Sequence, residues 1–233
     1  MKIALAAAAA TACLFGAAQA NSVAFVANGT DSIYLSGDGS YTGDGTAPFT
    51  YSFTPGGGQV LSFFDIVGFT NCCSSTPDTN ADGENGGNSN VDGSAGISGI
   101  VSPGQLFFAG VFIDSGNPPS SGSTPADLDF FSIGTDFTSL APALNQAFFI
   151  GNGLTSTFQV QEFLIPDSAD TLVLGFIDAF AFTGAPGFYD DNTGSLSGDF
   201  EITGGSAPVP VPGALPLMVA GLAIGAMRQR AKA

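Results

Sequence analysis

Residues 171–177 read Thr-Leu-Val-Leu-Gly-Phe-Ile, and this run is apolar on both of its alternating faces. In an extended chain Leu172, Leu174 and Phe176 point one way, whereas Val173 and Ile177 point the other way. A strand with two apolar faces must be covered on both sides, so the sequence predicts a central strand here.

A second run, residues 196–203, reads Leu-Ser-Gly-Asp-Phe-Glu-Ile-Thr and alternates between apolar or small residues and polar ones. The alternation indicates a strand with one face in the core and the other in solvent. No segment between residues 21 and 203 shows sustained helical periodicity, and only residues 138–144 are expected to form a short helical turn. Further strands are predicted between turn-rich loops, at residues 22–26, 49–53, 59–69, 105–113, 146–150 and 158–165. These strands predict an all-β fold, a β-sandwich that is jelly-roll-like.

The charges are divided between the ends of the chain and its body. All four Lys and Arg residues lie at positions 2, 228, 230 and 232, there is no His, and the 20 acidic residues lie between them. The carboxylates of the body must therefore be solvated, hydrogen-bonded to the backbone or bound to cations. This charge excludes nucleic acid as a partner, which needs Lys and Arg, and it favours divalent metal ions such as Ca²⁺. The alternative is that the acidic surface only keeps the protein soluble.

The same composition argues against an enzyme. The absence of His rules out a Ser-His-Asp triad, and residues 21–227 contain no Lys to act as a nucleophile. The acidic residues could supply a pair of carboxylates for glycoside hydrolysis, but Trp, which commonly stacks on sugars in such clefts, is absent. We therefore expect no catalytic residues.

The first 20 residues have the layout of a secretory signal peptide. Lys2 precedes an apolar run, and Ala18-Gln19-Ala20 fits the small-residue cleavage site, so the mature chain is expected to begin at Asn21. The acidic body then covers residues 21–203, and a linker rich in Gly and Pro covers residues 204–212. Residues 213–233 complete the division as a C-terminal segment that is predicted to enter the membrane.

Residues 209–217 read Val-Pro-Val-Pro-Gly-Ala-Leu-Pro-Leu and lead into an apolar run that ends before a basic tail. The run, residues 214–227, would be a helix of about 21 Å, shorter than the ~30 Å hydrocarbon core of a bilayer. Arg228 and Arg230 follow it directly and would hold the end in the cytoplasm. The residues that carry this layout are Val209, Pro210, Val211, Pro212, Gly213, Ala214, Leu215, Pro216, Arg228 and Arg230.

This three-part layout resembles the bacterial PEP-CTERM family in its VPLPA-type variant, with Val211 and Gly213 in place of the usual Leu and Ala. The resemblance implies recognition by an exosortase, a membrane protease-transpeptidase, in a Gram-negative bacterium that makes extracellular polysaccharide. It also implies that residues 213–233 are a sorting segment, which lies in the inner membrane, at least transiently, before the protein reaches the cell surface or extracellular matrix. The alternative is a plain C-terminal membrane anchor.

Cys72 and Cys73 are adjacent in sequence and are the two cysteines that remain after cleavage of the signal peptide. In an oxidising export compartment they can form a vicinal disulfide or pair between molecules. We favour the vicinal disulfide, which would stiffen its loop.

The best candidate for a binding site is the segment that joins the two strands described first. The predicted central strand delivers Asp178 to its end, and a long loop returns through Asp191 and Asn192 into the last strand. Two loop ends that meet at one edge of a sandwich can bring these side chains together. With a backbone carbonyl they would form the hard oxygen shell that Ca²⁺ prefers. The alternative is a turn rich in Asp and Asn that binds no metal.

Residues 187–196, which read Gly-Phe-Tyr-Asp-Asp-Asn-Thr-Gly-Ser-Leu, resemble the loop before the last strand of PA-IL-type calcium-dependent galactose-binding lectins. The resemblance implies that Asp178, the carbonyl of Phe188, Asp191 and Asn192 bind Ca²⁺, and that sugar hydroxyls complete the shell. Two features depart from that family: Asp191 stands where it has Asn, and the loop from Asp178 to Phe188 is longer.

A second, weaker metal loop is predicted at residues 78–83, which read Asp-Thr-Asn-Ala-Asp-Gly. Asp78, Asn80 and Asp82 have the spacing that opens an EF-hand loop. Ser89 stands at the twelfth position instead of Glu, and no helices are predicted beside it, so a non-helical calcium loop or a solvated loop is expected instead.

These observations predict an exported protein with a calcium-dependent, carbohydrate-binding β-sandwich. Its expected partners are the sorting protease and extracellular polysaccharide. The alternative is an acidic structural protein of the polysaccharide matrix that binds no discrete ligand.

Overall fold

A computed structural model describes residues 22–73 and 78–205, and it confirms the predicted all-β sandwich. The signal peptide, the sorting segment and all of the linker except Gly204 and Gly205 lie outside the described residues. The strands are β1 (Val23–Asn28), β2 (Phe49–Ser52), β3 (Val60–Asn71), β4 (Glu84–Val91), β5 (Ile100–Gln105), β6 (Phe108–Ile113), β7 (Leu128–Asp129), β8 (Ser139–Leu140), β9 (Phe148–Phe149), β10 (Glu162–Leu164), β11 (Thr171–Phe176), β12 (Thr183–Gly184) and β13 (Thr193–Thr203).

The middle of the molecule is a four-stranded sheet in the order β2-β11-β6-β9. Strand β11 pairs antiparallel with β2 on one side and with β6 on the other, which confirms the predicted central strand. Its two faces enter two different hydrophobic clusters, Leu172 and Leu174 in one and Val173 in the other. A strand that is apolar on both faces is thus buried between two layers.

A five-stranded sheet in the order β1-β13-β3-β10-β8 packs against one face of the middle sheet. Strand β13 pairs with both β1 and β3, and Leu196 and Phe200 from it are fully buried in the shared cluster. The register of β13 shifts between Ser197 and Asp199, where the alternation is interrupted by a bulge. Interlocked phenylalanines fill this cluster, including Phe25 and Phe63 with ring centroids 6.0 Å apart in an edge-to-face contact.

A second four-stranded sheet, in the order β12-β4-β5-β7, covers the other hydrophobic cluster. The sequence missed β4, because its residues Glu-Asn-Gly-Gly-Asn-Ser-Asn-Val contain one apolar side chain and show no alternation. Antiparallel pairing with β5 places this polar stretch in the sheet. Strand pairing, rather than side-chain pattern, therefore defines β4.

Two predicted strands have wrong boundaries, and one predicted helical turn is wrong in type. The strand expected at residues 105–113 is split at Leu106, which adopts a φ of 49° and turns the chain from β5 into β6 in another sheet. The strand expected at residues 158–165 is shortened to β10, and Phe158 lies in a turn. The helical turn expected at residues 138–144 is replaced by β8, which pairs in parallel with β10.

A helical turn that the sequence did not predict forms at α1 (Phe130–Ile133). The Asp129 side chain caps it by accepting a hydrogen bond from the N–H of Phe131, because the first N–H groups of a helix have no partner inside it. Short 3₁₀ turns lie at Ile33–Ser36, Ser121–Ser123, Phe180–Phe182 and Tyr189–Asp191. Within the part of the chain that the structure describes, no helix has the length and apolar character needed to span a bilayer.

Candidate metal centre

The two ends of the loop between β11 and β13 meet at one edge of the sandwich. Asp178 follows β11 by two residues, and Asn192 directly precedes β13. The loop is closed at its base, because the N–H of Gly187 donates to the carbonyl of Asp178 at 3.0 Å. Strand pairing on both sides thus holds Asp178 and Asn192 in place.

Asp178 and Asn192 contact each other and are almost completely buried, with 1% and 3% of their surfaces exposed. The Nδ2 group of Asn192 donates to Oδ2 of Asp178 at 2.8 Å and to the carbonyl of Gly29 at 3.1 Å. Because both partners are acceptors, the amide orientation is determined and its oxygen must point elsewhere. That Oδ1 atom is buried and has no hydrogen-bond partner. It is one of five buried side-chain oxygens without a partner in the described residues, and its side chain is in contact with a buried carboxylate.

The Asp178 carboxylate also lacks a compensating charge. Its Oδ1 atom accepts a hydrogen bond from the N–H of Ala179 at 2.7 Å. Burial nevertheless raises the pKa of Asp178 to about 7, and repulsion from Asp191 and Asp44 acts in the same direction, against the hydrogen bonds from Asn192 and Ala179. The cause is desolvation of the charged form, which a nearby cation would offset.

Asp191 and Phe188 occupy the exposed side of the same loop. The carbonyl of Asp191 accepts from the N–H of Cys73 at 3.3 Å, and its carboxylate lies within 4.8 Å of the sulfur atoms of Cys72 and Cys73. Phe188 has an exposed side chain and a left-handed backbone conformation, with φ 73° and ψ 19°. The structure therefore joins Asp178 to Asn192 directly and brings the charge of Asp191 close enough to affect Asp178.

The sequence missed one residue that organises the loop, Asp44. Its carboxylate accepts from the N–H of Tyr189 at 3.0 Å and from the N–H of Asp190 at 3.4 Å. The hydroxyl of the buried Tyr189 in turn accepts from the N–H of Asp178 at 3.1 Å. No local signal could identify Asp44, because it lies 145 residues from Tyr189 in sequence.

The second predicted metal loop uses its side chains in separate hydrogen bonds. Asp78 accepts from the side chain of Asn71 at 3.4 Å, and Asn80 accepts from the N–H of Asp82 at 3.0 Å. Asp82 accepts from the N–H of Asn152 at 2.8 Å, in a different loop. Each of the three side chains thus has a structural partner of its own, and calcium binding here stays a prediction.

Cys72 and Cys73 are joined by a disulfide, which confirms the vicinal bond that we favoured. The sulfur atoms lie beside Asp191, at the exposed side of the candidate centre. The disulfide therefore borders the loop that carries the four predicted ligands.

Several other carboxylates are satisfied by hydrogen bonds, as expected for a body without cations. Asp38 accepts from the N–H and hydroxyl of Ser121, and Asp170 accepts from the same two groups of Ser115. These hydrogen bonds lower the pKa of Asp38 and of Asp170. Asp38 is exposed and Asp170 is half-buried, whereas Asp178 combines almost complete burial with a raised pKa.

Comparisons with known proteins add no assignment for this site. No protein-family model matches the chain. Searches of curated proteins and of solved structures also find no match.

Proposed function

We propose that the protein is an exported β-sandwich that binds Ca²⁺ at the corner formed by Asp178 and Asn192. The observation that carries this proposal is the buried Oδ1 atom of Asn192, which has no partner and is attached to a side chain in contact with a desolvated carboxylate. Oxygen atoms of both types are preferred ligands of Ca²⁺. The carboxylate of Asp191 and the carbonyl of Phe188 are the further ligands that we propose.

A bound cation would compensate for the unpartnered oxygen of Asn192 and for the desolvation of the Asp178 carboxylate. It would give Oδ1 of Asn192 a partner, and it would favour the charged form of Asp178. Ca²⁺ takes six to eight oxygen ligands, so positions would remain for water or for the hydroxyl groups of a sugar. We therefore propose a carbohydrate of the extracellular matrix as the ligand of this centre.

Thermal unfolding of the purified chain in Ca²⁺ and in EGTA tests the metal site. A ligand present at 100 times its Kd stabilises the folded state by roughly 2.7 kcal/mol, which corresponds to several degrees in the midpoint. We expect this gain to be lost in Asp191→Ala and retained in Asp190→Ala. Asp190 is the matched control, because it is also exposed and lies in the same loop, and because its substitution by Ala removes the same charge.

The comparison of the two variants separates a specific site from general screening of the acidic surface. Equal gains in Asp190→Ala and Asp191→Ala would assign the effect to screening. No gain in the parent protein would refute the proposal. Asn192→Ala provides a further variant, since it removes the Oδ1 atom on which the proposal depends.

We also propose that residues 209–230 direct the protein to an exosortase-type protease and then to the cell surface or matrix. The support is the order of the Pro-rich motif, the apolar run and the arginines in the sequence. Deleting residues 209–216 in a host that has this sorting system should leave the protein in the inner-membrane fraction. Normal release of the deleted form would contradict the proposed route.

One observation favours the alternative of an acidic structural protein of the matrix. The carboxylates of Asp38, Asp136 and Asp170 are satisfied internally by Ser hydroxyl and N–H groups, and they need no metal. In this alternative the acidic surface provides solubility alone. A glycan-array signal that EGTA removes would count against it.

A further inference from the structure

A separate cleft of about 360 Å³ opens on another part of the molecule. It lies where the turn before β4, the loop after α1 and the loop between β9 and β10 come together. Its polar and aromatic lining includes Asp82, Thr135, Asp136, Asn152, Ser156 and Phe158. The volume falls within the range of small-molecule binding pockets.

Phe158 is the most exposed large apolar side chain at the cleft, with 84% of its surface accessible. It adopts a φ of 61°, a left-handed conformation that is rare for a bulky residue. Hydrogen bonds hold the turn: the N–H of Phe158 donates to the carbonyl of Thr155 at 2.9 Å, and the N–H of Gln159 donates to the hydroxyl of Thr155 at 3.0 Å. The ring is therefore presented to solvent by a backbone that is fixed before any ligand arrives.

The polar wall of the cleft is fixed in the same way. Asp136 accepts from the hydroxyl of Ser156 at 2.9 Å and from its N–H at 2.5 Å, which ties the loop that carries Phe158 to the loop after α1. Asp82 accepts from the N–H of Asn152 at 2.8 Å. Each carboxylate has about four lone-pair positions, so these hydrogen bonds leave capacity to accept from a ligand.

The charge of the cleft restricts the ligand. Residues 22–205 contain no Lys, Arg or His, and two carboxylates line the cleft, so an anion would be repelled. The carboxylates can accept hydrogen bonds from neutral hydroxyl groups, and an exposed ring can cover an apolar surface. A pyranose has both features, namely hydroxyl groups around its edge and an apolar face.

We infer that this cleft binds a neutral hexopyranose, with the apolar face of the sugar on Phe158 and its hydroxyl groups donating to Asp82 and Asp136. This binding needs no metal ion and does not depend on the calcium centre. A protein with both sites would contact a polysaccharide at two positions on its surface.

Saturation-transfer NMR on the full chain in EGTA tests the inference, with methyl glycosides of galactose, glucose and mannose as probes. We expect a signal from at least one glycoside. Phe158→Ala should weaken its binding by about tenfold, whereas Phe158→Trp should retain it. Phe180→Ala is the matched control, because Phe180 is also exposed but lies beside the calcium centre.

The absence of a signal from all three glycosides would overturn the inference. An unchanged affinity for the glycoside in Phe158→Ala would also overturn it, because the sugar would then be held elsewhere. A signal that appears only when Ca²⁺ is added and disappears in Asp191→Ala would assign the sugar to the calcium centre alone. That result would support the proposed function while refuting this second site.

Discussion

Raising the pH from 5 to 8 in the presence of EGTA should destabilise the protein, and Asp178 should be the main cause. Burial raises the pKa of Asp178 to about 7 in the folded state, from an ordinary value near 3.8. The folded protein therefore holds this proton more tightly than the unfolded chain. Stability from this group is fully present below pH 4 and is lost as the pH rises through 7.

The magnitude follows from the two pKa values. A difference of one pKa unit corresponds to 1.36 kcal/mol, so the full effect of Asp178 is about 4 kcal/mol. About 3 kcal/mol of that amount is lost between pH 5 and pH 8. For a protein of this size such a loss lowers the unfolding midpoint by roughly 8 °C.

This pH window is suited to the measurement because few other groups titrate in it. The protein has no His, and the hydrogen-bonded carboxylates Asp129, Asp136 and Asp170 have lowered pKa values. The stability from those three carboxylates is lost only as the pH falls below about 4, which is the opposite direction. Asp127, whose pKa is raised by desolvation, shares the sign of Asp178, so a variant is needed to separate them.

The assay is urea unfolding, followed by fluorescence or circular dichroism, at several values between pH 5 and pH 8 for the parent protein and for Asp178→Asn. The variant cannot titrate at this position. Its free energy of unfolding should therefore fall by about 3 kcal/mol less than that of the parent protein between pH 5 and pH 8, whatever its absolute stability. Parallel curves for the two proteins would refute the assignment of the raised pKa to Asp178.

The same measurement in the presence of Ca²⁺ tests whether the ion binds at Asp178. If Ca²⁺ binds the charged carboxylate, saturating Ca²⁺ should flatten the curve of the parent protein and release about one proton near pH 6. Calorimetry in two buffers with different ionisation enthalpies measures that proton. Calcium binding without proton release would place the ion away from Asp178.

Three further predictions concern the fold. Phe63→Ala should destabilise the protein by about 3–5 kcal/mol in urea unfolding, because Phe63 is fully buried among other aromatic rings; a loss below 1 kcal/mol would contradict the packing described. Gly194→Ala should lower the thermal midpoint far more than Gly184→Ala, although both glycines have φ near 80°. At Gly194 an added Cβ would lie 2.2 Å from the carbonyl oxygen of Phe69, whereas at Gly184 it would meet nothing within 4 Å. Equal thermal midpoints for those two variants would show that backbone strain, rather than the clash, dominates. Alkylation of the denatured protein should label Cys72 and Cys73 only after reduction, and the protein should run as a monomer on a non-reducing gel. A disulfide-linked dimer would contradict the vicinal bond.

The fold class and the longest strands could be predicted from the sequence because their side chains carry the pattern. Strand β11 is apolar on both faces, so its central position follows from its own residues. Strand β4 could not be predicted, since it is polar and becomes a strand only by pairing with β5. The break at Leu106 was also hidden, because an apolar residue at a positive φ looks like the continuation of a strand.

The candidate site was also only partly predictable from the sequence. The sequence alone placed Asp178 at the end of one strand and Asn192 at the start of another, and the absence of cations showed that the carboxylates need other partners. Tertiary structure decided that the two side chains touch, that the Asn192 amide is oriented with its oxygen unpartnered, and that Asp44 supports the loop. It also decided that Phe158 stands exposed at a cleft instead of lying in a strand. The physical reason is that hydrophobic pattern is a local property of the chain, whereas burial, desolvation and hydrogen-bond satisfaction depend on neighbours that are distant in sequence.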